Sequence, residues 1–228
     1  MTYVISNIHG DYKSFKKMLE TISFKDSDIL YILGDICDYG DETMELIEDI
    51  SMRYNVYGIV GEHDYIALRM LSGFSKMLDS GETPDADFIS EMTAWCADGG
   101  QATLSGFRAL DDDMKEGVID YLSDLALYEE VKVGGKKYVL VHAGIRDFSP
   151  TLDLDFCGPE DFFSESIDLT KKYYDDKIVI VGHEPTTEDN GGDGKIFYGN
   201  GTIDIDCGAM RGGKLACLCL DNGKEYYI

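Results

Sequence analysis

The apolar positions in the first quarter of the chain alternate between short continuous runs and helical periodicity. Runs at 3–5, 29–33 and 56–60 predict three buried strands. Apolar residues at helical spacing over 11–22 and 42–53 predict the two helices between them. This βαβαβ order predicts a parallel sheet with right-handed crossovers. Each strand ends in a polar loop, at the edge where open α/β sheets bind ligands.

The pattern becomes helical in the middle of the chain and returns to strands afterwards. Helical periodicity occurs at 66–78, 88–97 and 114–125, and we interpret about 65–127 as a helical insertion or cap. The second half has a helical pattern at 161–174 and strand patterns at 129–133, 138–141, 178–181, 202–206, 215–220 and 225–228. We therefore predict a four-layer α/β fold, with two packed mixed sheets flanked by helices, in one domain spanning 1–228.

Composition and charge narrow the function classes. The chain has 20 basic and 44 acidic residues, a net charge of −24. Such a surface repels phosphate backbones, so we expect no nucleic-acid partner. No apolar run approaches the roughly 20 residues that span a membrane, and the start lacks a signal-peptide pattern. We expect a cytoplasmic protein with no membrane partner. The six cysteines include no Cys-x-x-Cys pair, which disfavours a disulfide scaffold or a zinc finger.

All four histidines of the chain follow apolar strand patterns. They are His9, His63, His142 and His183. A single histidine in a loop is more often structural or exposed, but four at strand ends, alongside Asp35, Asp38 and Glu62, favour a converging metal site. Mixed imidazole and carboxylate ligands suit manganese, iron, zinc or magnesium. A carboxylate that bridges two such ions would make a two-metal hydrolase site suited to phosphate esters.

The loops that carry these residues resemble five blocks of the calcineurin-like metallophosphoesterases. The blocks are SNIHGD at 6–11, GDICDYG at 34–40, GEHD at 61–64, VHAG at 141–144 and GHEPT at 182–186, and 205–215 resembles the family's closing segment. The likeness covers nearly the whole chain and is greatest to bacterial serine/threonine protein phosphatases and symmetrical diadenosine tetraphosphate hydrolases. It implies a metallophosphatase-like fold and a phosphorylated protein or small phosphoester as substrate.

Carried over residue by residue, the resemblance implies two divalent metal ions bridged by Asp35. The implied ligands are Asn7, His9 and Asp35 for the first ion, and Asp35, Glu62, His142 and His183 for the second. A hydroxide bridging the ions would attack phosphorus in line, and His63, oriented by Asp38, would protonate the leaving oxygen. Manganese is the expected metal, with iron, zinc and magnesium as alternatives.

Three positions depart from the family pattern, which has aspartate at 7, asparagine at 62 and arginine at 39. Asn7 and Glu62 are opposite changes in charge, so we expect both metal sites to persist, with the first one weakened. Tyr39 lacks the guanidinium that would bind the substrate phosphate bidentately. Arg211 and Arg146 are the candidates to replace it, and the alternative is that both are surface residues.

Three functions remain open at this point. The first is a metal-dependent hydrolase of phosphate monoesters, similar to phosphoserine/phosphothreonine protein phosphatases. The second is a dinucleotide polyphosphate hydrolase, which shares every block. The third is a catalytically weakened member that binds a phosphorylated ligand. The three departures motivate the third function, but the presence of both His63 and Asp38 argues against it, because a binding module needs no acid and no residue to orient it.

Overall fold

The computed structural model describes residues 1–81, 83–189 and 194–228, and these form two five-stranded mixed sheets flanked by helices. The predicted fold class is therefore confirmed. In chain order the strands are β1 (Thr2–Ile5), β2 (Ile29–Ile32), β3 (Val56–Gly58), β4 (Glu129–Val133), β5 (Lys136–Leu140), β6 (Lys177–Val181), β7 (Phe197–Tyr198), β8 (Thr202–Asp204), β9 (Ala216–Cys219) and β10 (Glu225–Tyr227).

The first sheet has the order β10-β9-β1-β2-β3 and the second has the order β4-β5-β6-β8-β7. Strands β1, β2 and β3 are parallel, as the sequence predicts, and β9 and β10 join them antiparallel. In the second sheet β5, β6 and β8 are parallel, while β4 and β7 form antiparallel edges. The parallel strands of each sheet therefore end at a common edge.

Strand β1 shows why these strands read as continuous apolar runs. Successive side chains point to opposite faces of a sheet. Val4 packs among side chains of the second sheet, including Ile180, whereas Tyr3 and Ile5 belong to the core under the helices. All three are almost fully buried. A strand that is covered on both faces needs apolar residues at every position.

The helices are α1 (Tyr12–Ile22), α2 (Thr43–Ser51), α3 (Glu62–Ser80), α4 (Ala86–Trp95), α5 (Gln101–Ala109), α6 (Asp112–Ser123) and α7 (Thr186–Asp189). Helix α5 is absent from the sequence prediction, because Gly99-Gly100 reads as the end of a helix. Gly99 does break the regular geometry, with φ of 92° inside a wide turn at Cys96–Gly100, but the chain resumes a helix directly afterwards. No helix in the described ranges is long and apolar enough to cross a bilayer.

The helix predicted at 161–174 is wrong. The chain forms one short 3-10 turn at Pro159–Phe162 and then an irregular segment. Its apolar residues Phe162, Leu169 and Tyr173 are buried against the second sheet, which accounts for the spacing without a helix. The Asp168 carboxylate accepts hydrogen bonds from the Thr170 backbone N–H and hydroxyl. Such local bonds compete with helix formation.

Candidate active site

Polar side chains from the ends of strands in both sheets line a cavity of about 450 Å³. The residues that the sequence predicts for the site and that line this cavity are Asn7, His9, Asp35, Tyr39, Glu62, His63, His183 and Arg211. Asp38 and His142 are fully buried and contact the lining residues His63 and His183 respectively. Arg146 is not part of the lining. The loops of both sheets thus meet at one place.

Backbone bonds hold the first two loops together. Asn7 N–H donates to Gly34 C=O, and His9 N–H donates to Asp35 C=O. Asn7, His9 and Asp35 have φ of 51°, 48° and 52°, in the left-handed region that costs free energy for residues other than glycine. The cross-loop bonds fix these conformations, and with them the directions of the three side chains.

Asp64 ties the second loop to the third and has no role in the sequence prediction. Its carboxylate accepts backbone N–H bonds from Ile36, Cys37 and Gly61. It lies at the third position of α3, where a carboxylate can reach back to the residue before the helix. An acidic residue three positions after Gly61, at the start of a helix, is the sequence signal that could have identified Asp64 as a capping residue.

Asp35, His142 and His183, which we call the Asp35 cluster, converge on one point. Each offers a ligand atom, and these atoms all lie within 4.8 Å of one another. The Nε2 atom of His142 is 3.4 Å from Asp35 Oδ1 and 3.0 Å from His183 Nδ1. The other ring nitrogen of His142 lies 2.7 Å from the Leu33 carbonyl oxygen. Because a carbonyl only accepts, this contact places the proton on Nδ1 and leaves a lone pair on Nε2.

The donor set of the Asp35 cluster fits a divalent metal ion. Burial alone would raise the pKa of Asp35, but the imidazoles of His142 and His9 lower it to about 2. Burial, together with the neighbouring His142, lowers the pKa of His183 to about 4. The cluster therefore presents an ionised carboxylate beside a neutral imidazole, the forms that bind metals at neutral pH.

Asn7 and His9 lie beside this cluster without belonging to it, and Glu62 lines the same cavity. His9 Nε2 is 3.6 Å from Asp35 Oδ2, and burial lowers the pKa of His9. Asn7 donates its amide N–H to Asp35 Oδ2 at 3.2 Å and accepts the His183 backbone N–H at 3.0 Å. Glu62 is half-buried at the start of α3. The Asn7 contact depends on the amide, because an aspartate there would have no proton to donate.

His63 belongs to a separate arrangement on the same cavity, which we call the His63 network. It consists of His63, Asp38, Trp95 and Thr103. Asp38 Oδ2 lies 2.8 Å from His63 Nδ1 and accepts the Trp95 indole N–H at 2.8 Å. Asp38 Oδ1 accepts the Thr103 hydroxyl at 2.7 Å. The buried Asp38 carboxylate is thus hydrogen-bonded at both oxygens.

The His63 network favours a charged imidazole. Burial alone would lower the pKa of His63, but the hydrogen bond to Asp38 and the nearby Asp35 raise it to about 9. At neutral pH His63 is therefore protonated. Because Nδ1 is committed to Asp38, Nε2 is the nitrogen from which a proton can leave.

Trp95 and Thr103 are partners of Asp38 that the sequence does not reveal. The sequence favours a core role for Trp95, and the side chain is buried, but its indole also donates to Asp38. Trp95 and Thr103 lie 57 and 65 positions from Asp38 in the chain. No local pattern links residues so far apart, and only the packing of the helical segment brings them together.

Tyr39 and the two arginines occupy different surroundings. The Tyr39 hydroxyl donates to Asp98 at 2.8 Å, and burial raises the pKa of Tyr39 to about 12. Arg211 is the last residue of a short turn at Ala209–Arg211, and it is the one arginine or lysine among the described residues that line the cavity. The Arg146 guanidinium pairs with Asp161 at 3.3 Å instead. Of the two candidates, Arg211 lies at the cavity.

Two curated proteins illustrate what the sequence is similar to. A symmetrical bis(5'-nucleosyl)-tetraphosphatase of Buchnera aphidicola subsp. Schizaphis graminum is 30% identical over 158 residues, 67% of this chain and 46% of that protein. An uncharacterized protein of Methanocaldococcus jannaschii is 26% identical over 209 residues, 90% of this chain and 71% of that protein. The chain spans less than half the length of the first tetraphosphatases it matches.

Solved structures share the fold at low sequence identity. A putative diadenosine tetraphosphatase superposes with a TM-score of 0.66 at 18% identity, over 100% of this chain and 92% of that chain. A serine/threonine phosphatase of Saccharomyces cerevisiae gives a TM-score of 0.59 at 10% identity, over 98% of this chain and 75% of that chain. The family model described as calcineurin-like phosphoesterase matches residues 2–205. The match confirms the resemblance seen in the five sequence blocks, and the chain belongs to the calcineurin-like phosphoesterases.

Proposed function

We propose that this protein is a metal-dependent phosphoesterase that hydrolyses phosphate monoesters, such as those of phosphorylated serine and threonine. One observation carries the proposal. The Asp35 cluster and the His63 network reach the same cavity, so a metal-binding group and a proton donor would act on one bound phosphate.

The proposed metal ligands are the six residues of the sequence prediction. Asp35, His142 and His183 have the converging donor atoms, and we assign Asn7, His9 and Glu62 to the same centre because they lie around them or line the cavity. Manganese, iron, zinc and magnesium all suit such ligands. When bound, divalent ions stabilise charge on a phosphoryl group and lower the pKa of water. The remaining chemistry falls to the protein's own side chains.

In this proposal His63 is the general acid. Its Nδ1 donates to Asp38, which holds the ring in one orientation, and its Nε2 proton passes to the leaving oxygen of the ester. The pKa of about 9 keeps that proton in place at neutral pH. Asp38 acts through His63, as the residue that orients and charges it.

Arg211 is the proposed phosphate-binding residue, because it brings a permanent positive charge to the cavity lining. Tyr39 would shape the wall of the cavity. Its ring packs edge-on against the rings of His9 and His63, with centroids 5.1 and 5.3 Å apart. Arg146 has no role in the proposal, since it pairs with Asp161 outside the lining.

A dinucleotide polyphosphate is the second candidate substrate. The names of the curated relatives favour it, since several are symmetrical bis(5'-nucleosyl)-tetraphosphatases. The charge of the cavity opposes it, because Asp98, Glu184 and Asp206, outside the proposed metal ligands, line the cavity with one arginine. A tetraphosphate bridge carries more negative charge than a monoester and is repelled more strongly by these carboxylates.

A comparison of three substrates tests the proposal. The purified protein is assayed with manganese, zinc and magnesium in turn, on para-nitrophenyl phosphate, a phosphothreonine peptide and diadenosine tetraphosphate. We expect metal-dependent turnover of the two monoesters at a higher kcat/KM than of the dinucleotide. The reverse order would assign the protein to the tetraphosphatases.

A catalytically weakened binding module would give a different result. Wild type would bind the phosphothreonine peptide without turnover under any metal, and Tyr39→Arg would restore hydrolysis by supplying the missing guanidinium. That outcome would contradict the proposal.

A further inference from the structure

A second cavity, of about 460 Å³, lies between α2, the end of α5 and α6. It shares no lining residue with the active-site cavity. Its floor is apolar, built from Met44, Ile47, Leu110, Met114 and Val118. Met44, Ile47 and Val118 are buried, whereas Met114 is 43% exposed. We call this feature the acidic groove, because of its charged rim.

The rim of the acidic groove is negatively charged. Asp41, just before α2, and Glu45 and Glu48 on α2 line it; all three are exposed, and none forms an ion pair within the described part of the chain. On the α6 side, Met114, Gly117 and Val118 line the groove. No lysine or arginine belongs to the described lining. An apolar floor beside a row of carboxylates is complementary to an apolar stripe beside cations.

Gly117 keeps the groove open. It lies in the interior of α6, where glycine costs about 1 kcal/mol relative to alanine. A Cβ atom built there meets no heavy atom within 4 Å, so nothing in the described fold requires glycine at this position. Gly106 on α5 differs, because its Cβ would lie 2.9 Å from Met44 Cγ. The missing side chain at 117 leaves space for another backbone to approach α6 closely.

The groove has the length of a short helical segment. Its α2 wall runs from Met44 to Ser51. The seven steps of 1.5 Å between these two residues span about 10 Å, roughly two turns of helix. We propose that the acidic groove docks a basic amphipathic helix of a partner protein. The apolar stripe of that helix would cover Met44 and Val118, and its lysines or arginines would face Glu45 and Glu48.

A designed peptide tests this docking site. The probe is a helical peptide with leucines at i, i+3, i+4 and i+7 and lysines elsewhere, titrated by calorimetry into the purified protein. The matched control peptide has alanine in place of each leucine and the same charge. We expect saturable one-to-one binding of the leucine peptide and at least about tenfold weaker binding of the alanine peptide.

Two protein variants distinguish binding in the acidic groove from general attraction to the negatively charged protein. Gly117→Leu fills the open space without changing the charge, and its affinity for the leucine peptide should be at least about tenfold lower than that of wild type. Gly117→Ala should bind the leucine peptide nearly as well as wild type does. Both should retain phosphoesterase activity, because residue 117 lies outside the active-site cavity. If Gly117→Leu fails to fold, the double variant Glu45→Gln/Glu48→Gln supplies the test. We expect it to bind the leucine peptide more weakly than wild type does, with a smaller dependence of the affinity on salt.

Three results would overturn the proposal. One is equal affinity for the leucine and alanine peptides, which would indicate general attraction to an acidic protein. Another is unchanged binding to Gly117→Leu or, in its place, to the Glu45→Gln/Glu48→Gln variant. The third is a wild-type dimer that Gly117→Leu converts to a monomer, which would make a second copy of this chain the occupant.

Discussion

Two histidine contacts on one cavity have opposite electrostatic character. In the His63 network, an imidazole faces a buried carboxylate, and the pKa of His63 is raised to about 9. In the Asp35 cluster, His142 and His183 face each other at 3.0 Å, and the pKa of His183 is lowered to about 4. An imidazole is thus protonated and able to donate a proton in the His63 network, but neutral and able to donate a lone pair in the Asp35 cluster.

The difference arises from what lies behind each ring. Asp38 receives hydrogen bonds from Trp95 and Thr103, which hold its carboxylate in place as the partner of His63. His142 has the Leu33 carbonyl behind it, which holds a ring proton on Nδ1 and supplies no full charge. Burial lowers the pKa of both His63 and His183; the hydrogen bond to the Asp38 carboxylate overcomes this effect at His63, whereas His183 has another imidazole beside it.

Replacement of His63 should give the largest effect. We expect His63→Asn to lower kcat on an alkyl phosphate by about 10²–10⁴-fold, since general acid catalysis contributes that much. The loss should be much smaller on para-nitrophenyl phosphate, whose leaving group needs little protonation. Steady-state kinetics on both esters checks this. Equal losses on the two substrates would mean that His63 does not act as the acid.

Replacement of Asn7 should distinguish the metal-free and metal-loaded forms of the Asp35 cluster. Asn7→Asp replaces a donor to Asp35 with a second carboxylate. In chelator we expect a loss of about 1–3 kcal/mol of stability, a melting temperature lower by roughly 3–10 °C. Added manganese should then stabilise the variant more than it stabilises wild type, because the site gains a charged ligand.

Thermal melts with and without metal measure this difference, and Asn7→Ser is the control that removes the amide without adding charge. A smaller manganese shift in Asn7→Asp than in wild type would contradict the assignment of residue 7 to the metal site.

Removal of the Thr103 hydroxyl should weaken the His63 network without touching the Asp35 cluster. Thr103→Val keeps the shape but leaves Asp38 Oδ1 without its donor, and we expect kcat to fall about fivefold, equivalent to about 1 kcal/mol. Thr103→Ser retains the hydroxyl and should remain close to wild type. Metal content should be the same in both variants. A loss of metal in Thr103→Val would show that the two regions are coupled.

The pH dependence of stability in chelator should show the smallest effect, with opposite signs at the two sites. An unfolded histidine has a pKa of about 6.5. His63, with its raised pKa, stabilises the fold fully below about pH 6.5 and loses that contribution as pH rises through about 9. His183, with its lowered pKa, contributes above about pH 6.5 and loses the contribution as pH falls through about 4.

Melting curves of wild type, His63→Gln and His183→Gln across this pH range would separate the two contributions. We expect differences of a few degrees. The advantage of wild type over His63→Gln should shrink at alkaline pH, and its advantage over His183→Gln should shrink at acid pH. The same direction of change for both variants would remove the contrast between the sites.

The sequence predicts the strand-end loops of this site because each loop follows a distinct apolar run. The parallel order of β1, β2 and β3 then places their ends at one edge, which brings His9, Asp35 and His63 to one cavity. The other two partners of Asp38, Trp95 and Thr103, are not predictable in the same way. Trp95 and Thr103 reach it through the packing of α4 and α5, and α5 itself is hidden by the glycine pair before it. Buried hydrogen bonds between distant segments leave no periodic signal.

Metal content of three proteins tests the division between the two regions most directly. Wild type, His63→Asn and His183→Asn are loaded with manganese, freed of excess metal on a desalting column and measured by elemental analysis. We predict that His63→Asn retains the wild-type manganese content while losing activity on alkyl phosphates, and that His183→Asn loses bound manganese. Equal metal loss in both variants, or full retention in His183→Asn, would contradict the account.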